Sequence, residues 1–144
     1  MELPRRVSVK ALLRNGDDIL VLRESKGDNS GKFHFPGGHT EGEESLEEAL
    51  RREVHQETGI EQMDIGLPYY VCEWPARLGG ELIRVVGIFY PCRTEERSVT
   101  LSHEHDQELW MPPLDYSKHP MVSHSDQIIE RYLELERLGG LRYP

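Results

Sequence analysis

Cysteine is scarce in this chain of 144 residues, with only Cys72 and Cys92 present. Two widely separated thiols do not make the covalent framework of a small secreted domain, so free thiols in a reducing compartment are expected. Basic charge is also in short supply. Lys and Arg number 17 against 26 Asp and Glu, a formal net charge of -9. A protein that wraps a nucleic-acid backbone carries a basic footprint, so the balance argues against a polymeric nucleic-acid partner. A small phosphorylated substrate stays open, because a bound cation reverses the local field. No apolar run approaches the ~20 residues that cross a bilayer as a helix. The opening MELPRRVSVKAL lacks the apolar centre and cleavage pattern of a signal peptide. Repeats and low-complexity stretches are absent too. The expectation is one domain over residues 1–144, cytoplasmic, without a membrane partner.

What is present reads as strands, a helix, strands and a helix. Val7, Val9, Ala11 and Leu13 alternate with neighbours in the manner of a strand with one buried face. Asn15-Gly16 supplies a turn, and Ile19 to Leu22 returns as the second arm of a hairpin. Lys26 to Lys32 is a polar loop. A short extended segment then leads to Pro36-Gly37-Gly38, read as a glycine turn. Tyr69 to Trp74 predicts a strand, Ala76 to Glu81 a turn, and Leu82 to Tyr90 a strand that Pro91 ends or places at an edge. Val99 to Gln107 reads as a loop and Leu109 to Met111 as a short strand. The last helix runs from about Ser125 to Leu138, closed by Gly139-Gly140. Cys72 and Cys92 fall in strands and could face each other.

The long helix between these halves carries the chemistry. Ser45 with Glu48 is a capping-box pattern, and Gly59 suits a left-handed C-cap. At about 100° per residue, Leu46, Ala49, Leu50 and Val54 form an apolar stripe. Glu53 and Glu57 fall within it, one turn apart. Buried carboxylates are costly unless paired or metal-bound. A divalent cation at the edge of the core is the simplest reason for both.

The run GHTEGEESLEEALRREVHQETGI, Gly38 to Ile60, resembles the Nudix box, G-x5-E-x7-R-E-U-x-E-E-x-G-U with U a bulky aliphatic. Gly38, Glu44, Arg52, Glu53, Val54, Glu57, Gly59 and Ile60 stand at the required positions. Gln56 replaces the first glutamate of the usual pair. The match spans about a sixth of the chain. Periodicity alone leaves the order of layers open; the resemblance implies an α/β/α sandwich with a curved mixed sheet between helices. It also implies metal-dependent hydrolysis of a nucleoside diphosphate linked to another moiety. The implied cofactor is Mg2+, with Mn2+ as a substitute, held by Glu53, Glu57 and the Gly38 carbonyl. Gln56 still offers an amide oxygen but no charge, which implies weaker binding of one cation or fewer cations. Glu44 and Arg52 match a pair that braces the loop, with Arg52 also steadying the metal-binding glutamates; Gly37 and Gly59 are structural. The family takes its general base from the box or from a later loop, so Glu57 and Glu104 both stand as candidates. Arg23 matches a position that approaches substrate phosphate.

Other residues are read directly. His34 and His39 flank Gly37-Gly38 and could reach phosphate or base. Phe33, Phe35, Tyr69, Tyr70 and Trp74 offer stacking surfaces, although alternating aromatics equally build core. His103 and His105 share a strand face, but no further ligands follow at structural-zinc spacing. The favoured substrates are nucleoside triphosphates or dinucleoside polyphosphates. The alternatives are a non-nucleotide diphosphate such as a prenyl diphosphate, or a catalytically weak nucleotide-binding module. A homodimer is common for such domains and needs an exposed apolar patch.

Overall fold

The computed structural model describes residues 2–144. Strands β1 (Arg5–Asn15) and β2 (Asp18–Glu24) form the expected hairpin. They are followed by β3 (Phe33–His34), β4 (Gly37–His39), helix α1 (Leu46–Thr58) and β5 (Asp64–Ile65). Then come β6 (Tyr70–Leu78), β7 (Glu81–Arg93), β8 (His105–Met111), a 3-10 turn at Pro113–Lys118 and helix α2 (Ser125–Leu138). All eight strands join one sheet, with β3-β2-β1-β7-β5 as its spine and β4, β6 and β8 branching from β1, β7 and β2. The long β1–β7 pairing is parallel and the rest are antiparallel, so the sheet is mixed.

Both faces are covered, as an α/β/α sandwich requires. Val9, Ala11, Leu13, Leu20 and Leu22 pack with Ala49, Leu50 and Val54 of α1. Leu12, Ile19, Val21, Phe89 and Met111 pack with Ile128, Ile129 and Tyr132 of α2. Sequence alternation predicts one buried face for β1; the structure buries both, because Leu12 lies under α2 while its neighbours lie under α1. Toward the start of β1 the α2-side row becomes Arg6, Ser8 and Lys10, which line a cleft.

Helix α1 is set by its caps. The Glu48 N–H donates to Ser45 Oγ at 3.1 Å and the Ser45 N–H to Glu48 Oε1 at 2.8 Å. Gly59 closes the helix at φ 78°. Leu46 departs from the expected stripe: it is exposed, and the buried positions of the helix begin with Ala49.

Four local expectations are corrected. Gly37-Gly38 is a strand, not a turn, since Gly37, Gly38 and His39 pair with Lys10, Val9 and Ser8. Strand β6 continues through Pro75 to Leu78, which an edge strand tolerates because its outer N–H positions need no partner. Pro91 neither ends β7 nor marks an edge: the strand continues to Arg93, and Pro91 falls where the neighbour changes from β6 to β5. Strand β8 begins at His105, inside the stretch read as a loop. The two cysteines are free and sit on opposite faces, Cys72 toward α2 and Cys92 toward α1.

Candidate active site

Helix α1 packs against β4, and this contact sets the geometry. Glu57 is buried, and its Oε1 accepts the Gly37 N–H at 2.8 Å. Its Oε2 lies 3.8 Å from His105 Nε2. Burial pushes the Glu57 carboxyl up to about 8, against the opposing pull of the Lys10 ammonium and the Gly37 N–H. Glu53, one turn earlier, lies so close to Gly38 that a Cβ there would stand 2.6 Å from its carboxyl carbon.

Arg52 ties this arrangement together. Its Nε and Nη2 fork onto Glu44 at 2.9 and 2.6 Å, and Nη2 also donates to the His39 carbonyl at 3.1 Å. Nη1 donates to Glu53 at 2.9 Å and to the Gln56 amide oxygen at 3.4 Å. The planar donor fork suits this work in a way a lysine would not. It also holds the Glu44 carboxyl below the ordinary range.

These residues open onto a cleft of about 710 Å³. Glu24, Glu53, Gln56, Glu57 and Glu104 supply acidic and amide oxygens to its lining, with Lys10 among them, and Arg6 and His39 line it too. Trp74, Val85, Phe89 and Phe35 make an apolar wall. Gly87 creates room for that wall, since a Cβ there would come within 2.5 Å of the Trp74 ring. His39 Nδ1 is buried without a hydrogen-bond partner, and burial together with the charges of Arg6 and Lys10 lowers its basicity.

Of the residues singled out in the sequence, Gly37, Gly38, His39, Phe35, Glu53, Gln56, Glu57 and Glu104 converge on the cleft. Arg23 does not; its guanidinium is held by Asp106 at 2.7 Å, outside the lining. Phe35 is buried edge-to-face against Phe89 at 5.9 Å between ring centroids.

Sequence reading missed Lys10 and Glu24. A lysine inside VSVKALL was the available signal, read as the solvent side of a strand. It also missed a second cluster: Glu24, His34 and His105 present ligand atoms within 4.8 Å of one another. Those residues come from three different strands, so spacing along the chain could not reveal them.

The donor set around Glu53 and Glu57 fits a hard divalent cation. Two carboxylates one turn apart, one of them buried and pushed toward its protonated form by that burial, sit beside glycine backbone with no side chain in the way.

Comparison with known proteins agrees with this picture. A family model described as NUDIX domain matches residues 4–132. The CTP pyrophosphohydrolase of Escherichia coli (strain K12) is 27% identical over 122 residues, covering 85% of this chain and 86% of its own length. The crystal structure of the MutT protein from Methanosarcina mazei Go1 superposes with a TM-score of 0.75 at 29% identity, covering 94% of this chain and 98% of that one. The E. coli dihydroneopterin triphosphate pyrophosphohydrolase has the same TM-score at 19% identity, covering 92% and 97%, a likeness of fold.

Proposed function

This chain belongs to the Nudix family and is a metal-dependent hydrolase of phosphoanhydrides, and on that premise we propose that its substrate is a nucleoside triphosphate, cleaved to a nucleoside monophosphate and pyrophosphate. The observation that carries the proposal is the polarity of the cleft. Carboxylates suited to a cation, the cations Lys10 and Arg6, and an apolar aromatic surface line a single cavity. A nucleotide needs the same combination, a cation and positive charge for its phosphates and an apolar surface for its base. The likeness to a CTP pyrophosphohydrolase supports the same substrate class.

In this reading Glu53, Glu57 and the Gly38 carbonyl hold the cation, Mg2+ or Mn2+. When bound, such an ion neutralises phosphate oxygens and acidifies nearby water. Gln56 contributes an uncharged oxygen at the rim. Arg52 fixes Glu53 from behind, while Glu44 and Gly59 keep the loop and helix end in place. Lys10 offers positive charge, and the neutral His39 ring a hydrogen bond, to the phosphates. Glu104, exposed on the cleft wall, accepts the proton of the attacking water. The water oxygen bonds to the α-phosphorus, the bridging P–O bond breaks, and pyrophosphate leaves with the bridging oxygen.

The test is product analysis by mass spectrometry with Mg2+ or Mn2+ over nucleoside triphosphates, dinucleoside polyphosphates, ADP-ribose, nucleotide sugars and prenyl diphosphates. Metal-dependent release of a nucleoside monophosphate and pyrophosphate is the expected result. Turnover of prenyl diphosphates alone would sink the nucleotide reading, and binding without turnover would identify a binding module. The aromatic wall has its own test. Gly87→Val displaces the Trp74 ring, so KM for the nucleotide should rise about tenfold with kcat little changed, the size of one lost aromatic contact. An unchanged KM would remove Trp74 from the base site.

A further inference from the structure

Beside the box glutamates lies a second set of ligand atoms that the hydrolytic reading does not use. Strand β2 runs between β3 and β8, and each strand brings one residue to the same corner. Glu24 ends β2, His34 lies on β3 and His105 opens β8. A bulge between Arg23 and Glu24 decides the register. Arg23 pairs with Gln107, but Glu24 then pairs with His105, skipping Asp106. Bulges re-aim side chains in this way. Here the skipped Asp106 takes the Arg23 ion pair, and Glu24 is delivered to the two histidines.

The distances are those of a group sharing one proton. His34 Nε2 is 2.7 Å from His105 Nε2 and 3.0 Å from Glu24 Oε1. Both rings are buried and stacked at 4.9 Å, with 25° between their planes. Lys10 Nζ donates to His34 Nδ1 at 3.3 Å, which leaves the ring proton of His34 on Nε2. With that proton facing His105 Nε2, the latter takes the accepting role and the His105 proton goes to Nδ1, where the Ser102 hydroxyl at 3.4 Å can accept it. One hydrogen therefore lies among two imidazole nitrogens and a carboxylate oxygen.

We propose that Glu24, His34 and His105 form a binding site for one borderline divalent transition cation, of which Zn2+ is the type, adjoining the Mg2+-type site at Glu53 and Glu57, with His105 Nε2 3.8 Å from Glu57 Oε2. Two imidazoles and one carboxylate make a ligand set that such ions accept and that Mg2+ disfavours. Three protein ligands leave a coordination position open, and two of the three residues line the cleft. Ser102 is the outer partner that orients His105. Loading the ion moves the His34 proton from Nε2 to Nδ1 and releases none. Lys10 must then give up its bond to Nδ1, and the Phe35 carbonyl, 3.4 Å from its ammonium, is the acceptor that remains. Lys10 thus opposes loading, and the inference stands whether or not the substrate is a nucleotide.

The test titrates Zn2+ into the chelator-stripped full chain by calorimetry in millimolar Mg2+, with Co2+ absorption as the spectroscopic reading. The expected result is one Zn2+ per chain and a four-coordinate Co2+ spectrum. Both should weaken at least about tenfold in Glu24→Gln and His105→Gln and persist in Glu53→Gln. Lys10→Met keeps all three ligands and removes the opposing charge, so it should bind Zn2+ at least about tenfold more tightly. That gain keeps the test decisive where a histidine variant fails to fold. No Zn2+ binding, or binding lost in Glu53→Gln but kept in His105→Gln and Lys10→Met at wild-type strength, overturns the proposal.

Discussion

Replacing Glu57 with glutamine is expected to lower turnover at least about 10³-fold, roughly 4 kcal/mol of transition-state stabilisation, while making the metal-free protein more stable at pH 8. The two effects have one origin. Glu57 is buried, and its carboxyl sits at about 8 in the fold against an ordinary 4.5. Between those values the native state keeps a proton that the unfolded chain has released. Stability is therefore full below about 4.5, falls as pH rises to about 8, and is level above. Glutamine cannot ionise, so the variant loses that slope, a matter of a few kcal/mol. Thermal melts in chelator from pH 5 to 8 should show wild type falling more steeply than the variant. Adding Mg2+ at pH 8 should raise the wild-type midpoint and leave the variant nearly unmoved. Turnover within a few-fold of wild type would remove Glu57 from the site. A slope that persists in the variant would assign it to another group, and Glu24, raised by its own burial, is the next in line.

Gly37→Ala is expected to destabilise the fold by at least about 4 kcal/mol, whereas Gly38→Ala should fold and lose activity. The glycines are adjacent on one strand, yet they are glycine for different reasons. Gly37 stands at φ 140°, and a Cβ there would overlap the Val9 carbonyl oxygen and lie 2.8 Å from Lys10 Cα. Those obstacles are backbone atoms of the central strand and cannot move without breaking the β1–β4 pairing. Gly38 has no such backbone constraint. Its Cβ would meet the Glu53 carboxylate, the movable end of a side chain. Urea midpoints should separate the two variants, with Gly37→Ala far below wild type and Gly38→Ala close to it. Magnesium dependence should separate them again, since a displaced Glu53 demands more metal. A Gly37→Ala protein that melts like wild type would contradict the packing of β4 on β1. A Gly38→Ala enzyme with unaltered magnesium dependence would move the cation away from Gly38.

The local patterns in the chain determined a good deal. Ser45, Glu48 and Gly59 delimit α1 because caps are made by neighbours in sequence. The hairpin of β1 and β2 and the span of α2 follow from short-range turn and periodicity signals in the same way. Glu53 and Glu57 stood out as candidate metal ligands because acids on an apolar helical stripe need a reason, and the box spacing supplied one.

Tertiary structure alone decided the rest, and in each case the cause is pairing between segments far apart in the chain. Lys10 reads as a solvent-side residue until α2 covers Leu12 and Arg14 and leaves the earlier positions of that row to line a cleft. Pro75 and Pro91 look like strand breakers until the edge position of one and the change of partner beside the other show that no ladder bond is lost. Arg23 resembles a phosphate contact until Asp106 takes its guanidinium. Glu24, His34 and His105 meet because β2 pairs with β3 on one side and β8 on the other, with a one-residue bulge between Arg23 and Glu24 setting the last step. Sequence carries the chemistry of each side chain, but the register between distant strands decides which of them share a site.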